Sequence, residues 1–140
     1  MSHPHQATCI AIQQRGILIE GVPGSGKSSL ALALMDRGAA LVGDDGVLIE
    51  ARQDGLYALP HPNIRGKLEV RNLGLFDFPV REEVRLALII RLDPQAPRFI
   101  DAAEPAMFDG QTLPMVRLWP DTPVLALRAE LALQRYGLEF

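Results

Sequence analysis

The chain has 140 residues, 48% of them hydrophobic and 22% charged, which is room for one domain with one modest core. Its 14 basic and 17 acidic side chains leave a formal net charge of −3, without the basic excess that a broad nucleic-acid surface needs. Charges break up each apolar stretch before it reaches the length of a signal or membrane helix, so no membrane association and a cytoplasmic location are expected.

His3 and His5 lie in a short stretch read as a free terminus, where His3 is expected to be inert. Residues 7–12 and 16–20 read as two short strands around a polar turn, with the lone Cys9 a small buried core residue. A glycine-rich stretch follows, and then a helix over residues 27–37, stopped by Gly38. Residues 39–43 form the next strand, so that strand, loop, helix and strand make a βαβ unit. Residues 47–51 and 56–59 are the arms of a hairpin around Gln53, Asp54 and Gly55. Residues 67–70 and 73–78 read as further extended pieces, and residues 84–92 as an interior strand. Residues 93–111, with three prolines, are expected to be the least structured, and residues 113–119 supply one last strand. The final helix has Thr122 as its cap, Pro123 at its first position and Gly137 after its last turn. It presents two apolar rows, Val124/Leu127/Leu131 and Leu125/Ala129/Ala132/Tyr136.

Gly21-Val22-Pro23-Gly24-Ser25-Gly26-Lys27-Ser28 satisfies G-x-x-x-x-G-K-[ST] at every fixed position, and it lies between an expected strand and an expected helix. Glycines let backbone N–H groups close around a β-phosphate, and the helix start adds its positive end. Lys27 can reach β- and γ-phosphate oxygens, the Ser28 hydroxyl can ligand Mg²⁺, and Ser29 follows in the same turn. Asp44 and Asp45 end the next strand. One of them could hold the metal or accept a proton from an incoming hydroxyl, but adjacent strand residues face opposite ways unless the chain bends at Gly43 or Gly46. Glu69 and Arg71 share a face if their segment is extended. They read either as a metal ligand and a phosphate partner or as a surface salt bridge.

Together these segments resemble the catalytic domain of the bacterial HPr kinase/phosphorylase, in its short form lacking the N-terminal regulatory domain. The match runs from His5 through the glycine-rich motif and Leu30-Ala31-Leu32 to Asp36-Arg37-Gly38-Ala39 and Leu41-Val42-Gly43-Asp44-Asp45. It continues in Leu68-Glu69-Val70-Arg71-Asn72-Leu73-Gly74-Leu75, which resembles the family signature L-E-[IV]-R-G-[LI]-G. The resemblance implies an α/β, P-loop (Walker A) nucleotide-binding domain of the HPr kinase type over residues 1–140, a mixed sheet with flanking helices. It implies an ATP- and Mg²⁺-dependent serine kinase acting on an HPr-like phosphocarrier protein of the sugar phosphotransferase system, and a homo-oligomer, of hexameric order in the family.

By the residue-wise match, Asp44 takes the seryl proton with His5 nearby and Lys27 binds phosphate. Ser28, Glu69 and Asp45 are metal-associated, and Arg71 supports the site. Two departures weigh against carrying over the family's reverse phosphorolysis: Asn72 stands where the family prefers Gly, and Arg98 is the nearest stand-in for an arginine beside the seryl acceptor. The alternatives are a P-loop kinase with another acceptor, or a nucleotide-binding sensor or regulatory module with little transfer activity.

Overall fold

The most apolar run of the sequence, Val84–Leu92, becomes the central strand of the computed structural model, which describes residues 2–140. In chain order the strands are β1 (Ser2–His5), β2 (Thr8–Ile12), β3 (Arg15–Glu20), β4 (Ala40–Gly43), β5 (Val47–Arg52), β6 (Gly55–Pro60), β7 (Lys67–Val70), β8 (Gly74–Asp77), β9 (Val84–Leu92), β10 (Glu104–Phe108) and β11 (Gln111–Leu118). Helix α1 (Lys27–Asp36) follows β3, and α2 (Leu125–Tyr136) follows β11. A mixed nine-stranded sheet runs β1-β5-β6-β9-β3-β2-β4, with β11 pairing in parallel with the second half of β9 and β10 outside it. β7 and β8 form a separate hairpin.

The sheet buries both faces. Ile17 and Ile19 of β3 and Leu88 and Ile90 of β9 meet Leu30, Ala31 and Leu34 of α1 and Ala129 and Leu133 of α2. On the other face Cys9, Leu18, Val42, Ile49, Ala58 and Ile89 form a second cluster. That cluster joins edge strand β4 to β5 and β6, so the sheet is curled. A register shift opposite Gly16, which pairs with Leu86 while Ile17 pairs with Leu88, makes Ala87 an extra residue in β9. The bulge turns both Ala87 and Leu88 toward the helices and leaves Leu86 and Ile89 on the concave side. Each fully buried Leu or Ile stabilises the fold by roughly 1.5–3 kcal/mol.

Helix α1 ends as Gly38 predicts. Gly38 takes φ 107, its N–H bonds the Met35 carbonyl, and the Ala39 N–H reaches back to the Leu34 carbonyl. The strands flanking the helix, β3 and β4, run parallel because each is antiparallel to β2, which lies between them. The βαβ unit therefore skips one strand.

Four expectations need correction. The stretch read as a free terminus is β1, paired with β5, and His3 Nε2 lies 2.8 Å from Asp109 Oδ2. Residues 93–111 are irregular only as far as residue 103: the rest contain β10 and the start of β11, joined by a turn in which Asp109 (φ 48) and Gly110 (φ 79) both have positive φ, as a two-residue hairpin demands. Helix α2 starts at Leu125, so Pro123 precedes it, and the Thr122 hydroxyl accepts only the Val124 N–H, at 3.3 Å. Of its two apolar rows only the second is buried; Val124, Leu127 and Leu131 are exposed. Cys9 is a buried free thiol whose pKa is pushed far up by burial, as a core residue should be. Among the described residues no helix is long and apolar enough to cross a membrane.

Candidate functional site

Strand β3 delivers the chain to Gly21, and the next five residues curl back before α1, with the Ser25 N–H bonding the Val22 carbonyl at 3.0 Å. Gly24 (φ 81) and Gly26 (φ 104) occupy the left-handed region that side chains resist. A Cβ on Gly21 would fall 2.4 Å from Ser25 Oγ, which packs over it, buried and without a partner. Helix α1 starts at Lys27 with no side-chain cap and no acidic residue in its first turn, so its positive end is uncompensated from within the helix. Lys27 Nζ folds back on the loop, donating to the carbonyls of Gly21 (3.0 Å) and Val22 (3.3 Å).

The acidic pair sits where the chain leaves β4. A Cβ on Gly43 would lie 2.7 Å from Val47 Cγ1 and 2.8 Å from the Gly46 carbonyl oxygen, so glycine is required for the chain to bend there. Asp45 takes φ 61. The bend lifts both carboxylates off the strand, and both line one cavity, which removes the opposite-face limit.

Their surroundings differ. Asp44 is 6% exposed. Its Oδ1 accepts from Thr8 Oγ1 at 2.9 Å and from Ser28 Oγ at 2.7 Å, while its Oδ2 lies 2.9 Å from the same Ser28 hydroxyl and 3.3 Å from the Glu69 N–H. Asp45 is exposed, and its N–H donates to Thr8 Oγ1 at 3.4 Å.

The third wall is the β7–β8 hairpin, anchored by fully buried Leu68. Glu69 and Arg71 both face the cavity, and a Cβ on Gly24 would lie 3.5 Å from an Arg71 guanidinium nitrogen, so Arg71 overhangs the glycine loop. Asn72, at the hairpin turn, has φ 72. Asparagine is, after glycine, the residue type that best tolerates this left-handed region.

The cavity encloses about 780 Å³. Of the residues singled out in the sequence, Pro23, Gly24, Gly26, Lys27, Ser28, Ser29, Asp44, Asp45, Glu69 and Arg71 line it; Gly21 and Ser25 lie in the base of the loop and Val22 is exposed.

His5 and Arg98 are not among the lining residues. His5 Nε2 lies 2.9 Å from Glu20 Oε2, and its ring meets Phe108 edge-on at 5.1 Å. Glu20 also pairs with Arg91 at 2.5 Å. Its hydrogen bond to His5 first, and Arg91 second, hold its carboxyl below the usual Glu value against the opposing effect of burial. Sequence reasoning passed over Thr8 and Glu20. The available signals were a hydroxyl inside an otherwise apolar strand and a carboxylate directly before the first loop glycine.

Among the described residues no group of three His, Cys, Asp or Glu converges on one point. What the cavity offers is hydroxyl and carboxylate oxygen from Ser28, Asp44, Asp45 and Glu69. That donor set suits Mg²⁺, which takes one or two carboxylates and completes its shell with phosphate oxygens and water.

Three comparisons bear on this arrangement. The family described as HPr Serine kinase C-terminal domain matches residues 2–102. An HPr kinase/phosphorylase from Bordetella pertussis is 42% identical over 85 residues, covering 55% of this chain and 28% of that protein. Its counterpart from Exiguobacterium is 40% identical over 86 residues, covering 56% of this chain and again 28% of the relative. The matched stretch is therefore less than a third of either relative. The solved structure of the Hpr(Ser) kinase/phosphatase from Coxiella burnetii matches over 92% of this chain and 86% of that one, with a TM-score of 0.79 and 25% identity. The mixed, curled sheet with flanking helices is common to both.

Proposed function

We propose, from the premise that the chain belongs to the HPr serine kinase C-terminal domain family, that it transfers the γ-phosphoryl group of ATP to a serine of an HPr-like phosphocarrier protein. One observation carries the proposal: Ser28, at the first turn of α1, and Asp44, at the β4 bend, meet at 2.7 Å in a cavity also lined by Glu69 and Arg71. The cavity thus joins a cradle for phosphate to carboxylates beside it.

In this reading the glycine stretch is a P-loop. Lys27 exchanges its bonds to the Gly21 and Val22 carbonyls for β- and γ-phosphate oxygens, and the amides at the start of α1 face the same charge. Mg²⁺, when bound, neutralises charge on those oxygens, with Ser28, Glu69 and Asp45 as its protein ligands. Arg71 closes over the phosphates from the hairpin. The acceptor seryl oxygen bonds to the γ-phosphorus as the bond to the β–γ bridging oxygen breaks and ADP leaves, and Asp44 takes the seryl proton. His5, bonded to Glu20 directly before the loop and absent from the cavity lining, acts on the loop's entry rather than on the reacting atoms.

A second reading of the acidic pair follows from the donors around Asp44. Thr8, Ser28 and the Glu69 amide occupy its lone pairs, whereas Asp45 is exposed at the cavity wall. Asp44 would then orient Ser28, and Asp45 would take the proton.

The two core clusters lie on opposite faces of one sheet, which supports treating the 140 residues as a single catalytic domain. Incubating the protein with labelled ATP, Mg²⁺ and the host's HPr-like protein should give phosphoserine on that protein. ATP binding without transfer to it, but with transfer to another acceptor, would replace the substrate. Binding without transfer to anything, coupled to altered partner affinity, would make the chain a regulatory module. A homo-oligomer of hexameric order is part of the same proposal, and a light-scattering mass equal to one chain would remove it.

A further inference from the structure

Among the described residues only two polar or charged residues are buried as a whole, Thr8 at 0% exposure and Asp44 at 6%, and they are bonded to each other. A buried hydroxyl in a β-strand with no acceptor would cost stability, so its placement calls for a partner that uses it. Thr8 uses both its proton and a lone pair. It donates to Asp44 Oδ1 at 2.9 Å and accepts the Asp45 N–H at 3.4 Å. One side chain therefore spans the whole acidic bend.

Its position follows from the sheet. Thr8 starts β2, one residue before Cys9, whose partner on β4 is Gly43. The register shifts between Cys9 and Ile10, because Ile10 pairs with Leu41 and leaves Val42 as an extra residue. This irregularity lies directly before the bend, where β4 ends at Gly43 and Asp44 comes onto the Thr8 hydroxyl. With Oδ1 held by Thr8 and Oδ2 by the Glu69 amide, the carboxylate has a fixed plane, and the Ser28 hydroxyl donates to it with Oγ 2.7 Å from Oδ1. A Ser28 hydroxyl whose proton is committed to Asp44 keeps its lone pairs for the cavity.

We infer that Thr8 is a positioning residue of the metal–phosphate site: it fixes the Asp44 carboxylate and, through it, the Ser28 oxygen that faces the cation. The inference rests on the reading of this cavity as a Mg²⁺–nucleotide site. It does not depend on which protein is the acceptor. Thr8 is not among the residues that line the cavity, so its effect would reach phosphate and cation only through Asp44 and Ser28. Groups that hold a metal ligand in place in this way change metal affinity or activity by about 10–100-fold when removed.

The test is binding of a fluorescent ATP analogue, titrated with Mg²⁺, to wild type, Thr8→Val, Thr8→Ser and Thr8→Cys. Valine keeps the shape and removes both hydrogen bonds, serine keeps the hydroxyl, and cysteine keeps only a weak donor. Thr8→Val should bind the analogue in the absence of Mg²⁺ much as wild type does, but need about 10-fold more Mg²⁺ for half-maximal enhancement, with Thr8→Ser close to wild type. Thr8→Cys should fall between the two, and it carries the test if the valine variant does not fold. A folded Thr8→Val or Thr8→Cys protein with the wild-type Mg²⁺ dependence overturns the inference. So does a Thr8→Ser protein as impaired as Thr8→Val, since it would make the lost packing responsible. The two proposals fail differently. Wild type that binds Mg-ATP but phosphorylates no HPr-like protein removes the substrate and leaves Thr8 in its role; wild type that binds no nucleotide removes both.

Discussion

Replacing Asp44 with Asn keeps its size and one carbonyl oxygen but removes the charge and the capacity to take a proton at neutral pH. The new amide nitrogen must stand at one of the two old oxygen positions. At Oδ2 it would confront the Glu69 N–H, donor against donor, at about the present 3.3 Å. At Oδ1 it meets the Thr8 and Ser28 hydroxyls, which can rotate to accept. The second orientation should be chosen, with the remaining oxygen accepting from Glu69 N. Three charge-assisted bonds then become neutral ones, a change from roughly 1.5–3 to roughly 0.5–1.5 kcal/mol each or about 3–4.5 kcal/mol together, partly offset because a charge no longer has to be buried, so the fold should be weakened and survive. Asp45→Asn is the control: Asn suits the φ of 61 at this exposed position, and the change should stay within about 0.5 kcal/mol. If Asp44 takes the seryl proton, Asp44→Asn should retain nucleotide binding and lose phosphoserine formation by about 10²–10⁴-fold at every Mg²⁺ concentration, whereas Asp45→Asn, which removes a carboxylate ligand of Mg²⁺ in this reading, should lose transfer that excess Mg²⁺ restores. The assay is phosphoserine formation and ATP binding for both variants across Mg²⁺ concentrations. Unchanged transfer in Asp44→Asn refutes the base assignment. Loss confined to Asp45→Asn that excess Mg²⁺ does not restore moves the proton to the exposed carboxylate. A loss in Asp44→Asn that excess Mg²⁺ restores shows Asp44 orienting Ser28 and not taking the proton.

Lys27→Ala should weaken ATP binding and transfer together, because the ammonium group matches charge on both the β- and γ-phosphates; a fully active variant would show that the loop is not used in this way. Glu20 has its folded-state pKa below the ordinary 4.5, so the stabilisation it gives is complete above that value and is lost as pH falls through the lower one. Glu20→Gln should therefore be less stable than wild type at neutral pH yet lose less on acidification, read as urea midpoints between about pH 7 and about pH 3; parallel losses would show that Glu20 contributes nothing to the acid limb. Asn72→Ala should cost about 1 kcal/mol, because alanine lacks the local hydrogen bonding that eases φ 72, whereas Asn72→Gly should be neutral or stabilising; equal melting temperatures for all three proteins would refute the backbone explanation.

Local chemistry was the legible part of the sequence. The glycine loop, the start and stop of α1, the β5–β6 hairpin and the burial of Val84–Leu92 each depend on residues within a few positions of one another, and each lies close to where the spacing places it. The β10–β11 hairpin was equally local and was missed, although Asp109-Gly110 is a strong two-residue turn signal; the prolines around it drew attention to irregularity instead. Helix α2 failed for a different reason. Both of its rows are apolar, and periodicity alone does not say which one meets the sheet; Ala129 and Ala132 fit closely against it, and Leu127 and Leu131 are left to solvent.

The candidate site divides along the same line. A glycine-rich motif and an acidic pair identify atoms that can face a ligand, because reaching the ligand demands those residue types at those spacings. The atoms that hold them are under no such demand. Asp44 is fixed by a threonine 36 positions before it, a serine 16 before it and an amide 25 after it, contributed by β2, α1 and β7. No short pattern contains that arrangement, since it exists only once β2 has been inserted between β3 and β4. The same reasoning explains why the departure at Asn72 leaves the hairpin intact. What the turn requires there is a positive φ, and asparagine meets it with a different side chain. At Asn72 a change of residue type preserves the backbone. At Thr8 the dependence is on one hydroxyl, so removing that single oxygen is the sharper test of how the site is held.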